Sequence, residues 1–426
     1  MKDPGLAAAL CAGLLAVAGC GGGSSGSSSS NQASGPPIKI GVLDDNAAST
    51  AVEGAEMRVN TDLAVAQINA SGGIHGHPLQ VVYSDPQGQP DQAISQAQQL
   101  VQQQGVDVLM GGVLSSECLG VENLVPRLQV VYLSSSGCAA EQFTSQQCNS
   151  YTFRFNATGR QTTIPLANYM VGSYGKKWGI IYPDYALGQS NLNAFKVGLQ
   201  AAGGELVSSQ TIPIPYPESN MTPYISKIAT DGTINGLINS EVSADLVRSS
   251  QTIAQFGING KLPIVAFLGK DRFGGVYPDS LTGEIGYLPE LSDSPTDNKA
   301  DIAYHTAFRR QLASEPSNIV TTLGGADKAV PGQLGYQAYS ATMALKQGML
   351  QSNFSGKADS QKLVKALSTL KVKQGNDFPA GDLQMNPTDH QAAQTIYLVK
   401  ISGQQEQVLT TVTPDKLPPI GSCQVK

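Results

Sequence analysis

The chain has 426 residues, a formal net charge of -6 and 14% charged residues. The charges are interspersed and no run concentrates Lys and Arg, which argues against nucleic acid as a partner. A chain this long exceeds what one hydrophobic core usually holds, so two lobes are expected.

Residues 1–19 read as a targeting segment: Lys2 is a minimal charged start, and an apolar core follows that is too short for a stable membrane anchor. Small residues lead into Cys20 (LAVAGC), the pattern of a lipoprotein cleavage site at which Cys20 is lipidated. The Gly/Ser-rich stretch over 20–37 is then a flexible tether. Two acyl chains anchor where one does not. The expected location is extracytoplasmic, lipid-anchored to the cell membrane. No other apolar run is long enough to cross a bilayer.

Residues 38–43 (IKIGVL) read as a strand. Val59, Leu63 and Ala66 recur at helical spacing, and Gly72 and Gly73 stop that helix. Leu79, Val81 and Tyr83 alternate with Gln80 and Val82 as a strand does. A polar helix over 92–103, a buried-type strand over 106–110 (VDVLM) and a strand over 129–133 follow. A second series begins after Arg154, with helix 160–174, strand 178–182 (WGIIY), helix 189–202, strand 205–212 and helix 222–230. It continues with strand 236–239, helix 244–256 and strands 264–268 (IVAFL) and 285–288. Pro331 is expected to open a long helix with Tyr336, Tyr339, Met343 and Leu350 on its apolar face. Helix 360–370, strand 395–401 and an extended piece over 407–412 end the series. Alternation at this spacing predicts α/β architecture with parallel sheets.

Four cysteines remain after Cys11 and Cys20: Cys118, Cys138, Cys148 and Cys423. An exported location favours disulfides, and four cysteines allow three pairings. Cys138 and Cys148 flank a short loop, so a bridge between them is expected. His75 and His77 flank Gly76 in a turn, His305 sits in a polar helix (AYHTAFRR, 303–310) and His390 in a turn, and all four read as surface residues without metal spacing. GxxxxGK[ST] and HExxH do not occur, and GxSxG and GxGxxG are met only inside the Gly/Ser tether at 21–26, away from any strand–helix turn, so no enzyme activity, metal or cofactor is expected.

Several stretches carry a resemblance: IKIGVL, LAVAQINASGGIHG, LVQQQGVDVLMGG, Ser115-Ser116, YTFR at 151–154, Tyr185 with Gly188, and PTDHQAAQTIYLVKI at 387–401. Together they resemble the type I solute-binding proteins of ABC transporters, the branch that includes the leucine/isoleucine/valine-binding proteins. The loop after the first strand, DDNAASTAVEG, departs from that family's usual Gly-rich loop. The resemblance implies two doubly wound parallel-sheet lobes joined by a hinge. The first lobe would span 38–156, the second 157–290, a return to the first lobe 291–376, and a C-terminal segment against the second lobe 377–426.

Ligands bind beyond the carboxyl ends of strands in open α/β sheets. Ser115 and Ser116 begin a helix there, where free N–H groups favour a carboxylate; the alternative is a plain serine cap. Ser134, Ser135 and Ser136 end another strand and can hold a carboxylate or an ammonium, or form a solvated turn. In the second lobe the resemblance points to Tyr185 as an aromatic cover and to Asp271 as the acid for a ligand ammonium, with Glu241 as second choice. Arg154 reads as structural. The implied function is capture of a small polar ligand, first an amino acid, for an ABC permease in the membrane. The alternatives are a ligand-sensing lipoprotein or a cell-envelope hydrolase.

Overall fold

Strands that lie between helix layers are buried on both faces and read as continuous apolar runs. In the computed structural model, β1 (Ile38–Leu43), β2 (Leu79–Ser84), β3 (Val108–Gly111), β4 (Val131–Ser134) and β5 (Thr152–Arg154) form a parallel sheet in the order β2-β1-β3-β4-β5. Every residue of β3 and β4 is buried. The structure describes residues 33–47, 50–138, 148–184, 186–213, 220–229, 232–295, 297–418 and 424–425, with the side chains at 186, 229 and 243 left aside.

The second series gives β6 (Lys177–Pro183), β7 (Glu205–Ile212), β8 (Gly236–Asn239), β9 (Ile264–Ala266) and β10 (Ile285–Leu288). Late in the chain come β11 (Lys371–Val372), β12 (Leu383–Met385) and β13 (Ala392–Gln394), a small antiparallel sheet that the sequence reading missed. β14 (Ile396–Ser402) and β15 (Gln405–Val412) then join the second sheet, whose order is β15-β14-β10-β9-β8-β6-β7. β14 runs antiparallel to both its neighbours, β10 and β15, and the other pairs are parallel. The edge strand β7 alternates exposed and half-buried residues over most of its length, as a strand with one wet side does, and β15 at the other edge is mostly exposed.

The helix Ala51–Ala70 packs on the helix Gln333–Ser352, and both contribute to the core around the first sheet. That long helix begins at Gln333 and not at Pro331, with Gly332 at its cap position. A Cβ on Gly332 would stand 2.3 Å from the Glu56 carboxylate, so glycine is what lets the two helices approach there. The helices Lys299–Ser314 and Ser317–Thr322 also belong to the first core through Tyr304, Phe308, Leu312 and Ile319.

The chain passes between the two sheets after β5, after β10 and before β14. Two of these passages run side by side. The Arg154 N–H donates to His390 O at 2.9 Å, Gln391 Nε2 donates to Asn156 O at 2.7 Å, and Gln394 Nε2 donates to Phe155 O at 2.8 Å. His390, expected at the surface, is buried: its ring stacks on Phe153 at 4.2 Å, and Nδ1 lies 3.2 Å from Thr152 O. Burial pushes its pKa down to about 4. His305 is buried as well, whereas His75 is exposed and His77 half-buried.

The expected Cys138–Cys148 bridge is replaced by Cys118–Cys138, with Cα atoms 6.1 Å apart. Cys148 is also disulfide-bonded, while Cys423 lies outside the described residues. The reason is sheet order. The helix Ser115–Leu128 follows β3, its neighbour is β4, and Cys118 on its first turn meets Cys138 just past β4. A Cβ on Gly112 (φ 86°) would stand 2.5 Å from the Cys118 sulfur, so that glycine leaves the bridge its room.

Candidate functional site

In the order β2-β1-β3-β4-β5 the direction of winding reverses between β1 and β3, and ligands favour the crevice beyond the carboxyl ends at such a switch point. Counted from its edge at β7, five strands of the second sheet repeat that order as β7-β6-β8-β9-β10, with the reversal between β6 and β8.

The first switch point carries a pair of buried acids that the sequence reading missed. Asp45 follows β1, and its Oδ1 accepts from the Ala47 N–H at 3.1 Å. Glu117 lies on the first turn of Ser115–Leu128, and its Oε2 accepts from the Leu114 N–H at 3.1 Å. Asp45 Oδ2 and Glu117 Oε1 have no donor, and the two carboxyls lie against each other. Burial, with Asp45 beside it, raises the Glu117 pKa to about 7 despite those backbone donors. Part of the helix-start niche expected for a ligand carboxylate is thus held by the chain's own Glu117. Leu114 occupies the cap position, Ser115 is half-buried and Ser116 is exposed.

Ser134, which ends β4, and Ser135 and Ser136 after it are fully buried and differ in role. Ser134 Oγ donates to Asn156 Oδ1 at 3.2 Å, on the passage between the sheets. Ser135 Oγ lies 3.9 Å from Met57 Sδ. The Ser136 hydroxyl has no partner, which makes it the serine with a hydrogen bond to offer.

On the second sheet, Glu241 is buried just past β8, and its N–H donates to Asn239 Oδ1 at 3.4 Å. Asn239 Nδ2 donates to Ser249 Oγ at 2.8 Å and to Ser250 Oγ at 3.1 Å, which fixes this strand end. Asp271 lies on the short turn Lys270–Phe273 after β9. Lys270 turns away to Asp293, 2.5 Å from Nζ to Oδ2, so it does not neutralise Asp271. Tyr185 and Cys20 lie outside the described residues.

The two lobes meet at Asp271. Its Oδ2 and the Glu56 carboxylate converge on Gly332, at 2.6 and 2.3 Å from where a Cβ would stand. Glu56 belongs to the helix Ala51–Ala70, one residue before the Met57 that Ser135 touches, and the Gly335 N–H donates to its Oε2 at 3.3 Å. Arg272 lies among Asp271, Glu53 and Glu56, with Nη1 3.9 Å from Glu53 Oε1. Three acids surround one guanidinium, and desolvation pushes both Glu56 and Asp271 up. The structure therefore brings Ser135 and Asp271 to one region through Met57 and Glu56. A signal for Glu56 was available: it shares a helix face with Asn60 and Leu63, both buried. Where the lobes meet, buried acids outnumber the one guanidinium beside them, a setting that an added ammonium would balance.

Comparison with known proteins agrees with the two-lobed α/β fold. The sequence profile of the periplasmic binding protein family matches residues 37–406. The Leu/Ile/Val-binding protein homolog 6 of Brucella abortus (strain 2308) is 25% identical over 370 residues, 86% of this chain and 87% of that protein. The structure of a leucine-, isoleucine-, valine-, threonine- and alanine-binding protein from Brucella ovis, in a closed conformation, matches with TM-score 0.75 at 19% identity. The match covers 92% of this chain and 100% of that one. A solute-binding protein of an ABC transporter from Rhodopseudomonas palustris BisB5, in complex with 3,4-dihydroxy benzoic acid, matches with TM-score 0.72 at 18% identity, over 89% of this chain and 98% of that one. These likenesses extend over the two-lobed fold as a whole. Among the described residues no helix is long and apolar enough to cross a membrane.

Proposed function

From the premise that the chain belongs to the periplasmic binding protein family, we propose that it captures a small amino acid for an ABC importer from a lipid anchor at Cys20. The observation that carries the ligand class is the acid surplus between the lobes: Asp45 with Glu117 on the first lobe, and Glu56 against Asp271 where the lobes meet. A buried carboxylate without a cation is costly, and a ligand ammonium supplies one. Ser136, and the backbone N–H groups at the start of Ser115–Leu128 that Glu117 leaves open, are the donors for the ligand carboxylate. Tyr185 and Glu241 are carried over from the resemblance as further contacts. Ligand that touches both lobes favours the closed arrangement, which is what a membrane permease reads.

A second reading, an aromatic carboxylic acid, has the support of the Rhodopseudomonas palustris neighbour. The two make opposite demands on the acids. An ammonium requires them ionised, so binding releases protons and affinity rises as pH climbs through the raised Glu117 value of about 7. An anion without an amine tolerates them only when protonated, so its affinity falls over the same range. Calorimetry with leucine, isoleucine, valine, alanine and benzoate at pH 6 and pH 8 decides between them. Amino-acid binding that strengthens at pH 8 supports the proposal, and benzoate binding that strengthens at pH 6 replaces it. Mass spectrometry of the membrane-bound protein tests the anchor: a mature N-terminus at diacylated Cys20 is expected, and an unmodified start elsewhere refutes it.

A further inference from the structure

Glu290, Asp301 and His305 form a second cluster that the cleft does not use. Glu290 lies on the passage that leaves β10, and Asp301 and His305 stand four residues apart on the first-lobe helix Lys299–Ser314. At that spacing both side chains share one face. All three are buried, at 2%, 2% and 4% exposure. His305 Nε2 is 2.5 Å from Glu290 Oε1 and 3.9 Å from Asp301 Oδ2, and one ligand atom from each residue lies within 4.8 Å of the others. Glu290 Oε2, Asp301 Oδ1 and Ser294 Oγ are buried without a well-formed hydrogen bond, and the two carboxyls and that hydroxyl face one another. The nearby groups on other elements are already engaged. Lys270 is paired with Asp293, while Glu406 accepts from Tyr277 OH at 2.6 Å and from the Ser292 N–H at 2.7 Å.

We propose that Glu290, Asp301 and His305 bind a divalent transition-metal ion of the zinc or manganese class, clamping the passage after β10 to the first lobe. One imidazole with two carboxylates is a donor set for such ions, whereas calcium and magnesium prefer oxygen alone. Tetrahedral donors at about 2.1 Å from a metal stand about 3.4 Å apart. The His305–Glu290 separation must widen and the His305–Asp301 separation must narrow, each by less than about 1 Å, which side-chain rotation supplies. A cation also supplies the positive charge that two buried carboxyls facing each other lack. The Ser294 hydroxyl or a water completes the coordination.

The test uses purified protein stripped with a chelator and dialysed against zinc or cobalt. The parent is expected to take up one equivalent, and His305→Gln and Asp301→Asn are each expected to weaken uptake by roughly 100-fold or more. The bound cobalt should show the visible absorption of a four-coordinate site, and X-ray absorption should give one imidazole nitrogen, oxygen donors and no sulfur. This reading of the parent holds even if a variant does not fold. Metal should also raise the parent Tm, and calcium should not. Failure of the folded parent to take up zinc, cobalt or manganese in tenfold excess overturns the proposal. So does uptake unchanged in both variants, or a coordination shell without imidazole. The cleft reading stands or falls separately, since the amino-acid titration is made on metal-free protein.

Discussion

The two parallel sheets share one strand order and furnish it differently. At the first switch point Asp45 and Glu117 are held by backbone N–H donors, and Cys118, one residue beyond Glu117, is bridged to Cys138. In the second sheet the strand end beside Glu241 is fixed by Asn239 and two serines, and the acid that reaches the other lobe, Asp271, rides on a turn of four residues. Strand order decides where a side chain can reach, and the loops after the strands decide what stands there. The first lobe is the braced wall, and the second supplies the contact that closes against it.

Four changes break or sharpen this contrast. The largest effect is expected for Asp271→Ala, which leaves a ligand ammonium without its second-lobe partner at a cost of about 3–5 kcal/mol. Calorimetry should find no measurable amino-acid binding by a variant whose circular dichroism is unchanged. Binding at the parent's strength would move the acidic contact to Glu241 or to the first lobe. Next, removing the first-lobe brace with Cys118→Ser and Cys138→Ser together should lower stability by about 3 kcal/mol on the loop-entropy account, read as a fall in Tm by scanning calorimetry. A Tm equal to the parent's would show that the wall does not depend on the bridge.

The third change concerns protons. Glu117 titrates at about 7 in the fold against an ordinary 4.5. The folded chain therefore holds a proton there that the unfolded chain has released. The stability this confers is complete below about 4.5 and is lost as pH rises through about 7. Glu117→Gln should flatten the fall of Tm between pH 5 and pH 8, and an unchanged slope would assign that dependence to other groups. Smallest is Ser136→Ala, which removes one free hydroxyl and should weaken amino-acid binding by about 1–2 kcal/mol. Ser134→Ala disturbs the contact with Asn156 instead and should lower Tm more than affinity. Equal effects on affinity would erase the distinction drawn between these serines.

Much of the fold was legible because buried parallel strands leave apolar runs between helices, as IKIGVL and WGIIY do. The small sheet β11-β12-β13 was not, since short half-polar strands carry little periodic signal, and of the helix Lys299–Ser314 only the polar middle around His305 was read. Of the site, the strand ends were legible by topology, which is how Ser134 to Ser136, Glu241 and Asp271 came into view. Glu56, Asp45, Glu117 and Arg272 were missed because their meaning lies in partners distant along the chain. Cysteine spacing misled for the same reason: adjacency of the helix start and β4 is created by the sheet, not by proximity in sequence. His390 read as a turn residue, yet a ring packed on Phe153 is a tertiary event.

The paired passages between the sheets carry one more implication, for how the chain is made. Gln391 donates to Asn156 across 235 residues, and the first core closes only when the helix Gln333–Ser352 docks. The amino-terminal half therefore cannot finish folding until nearly all of the chain is present, and contacts of such long range form slowly. For a polypeptide threaded through a narrow translocation channel this delay is useful. Were the chain exported unfolded, its leading segment would stay slack during transit and lock only once the trailing segment had arrived on the far side.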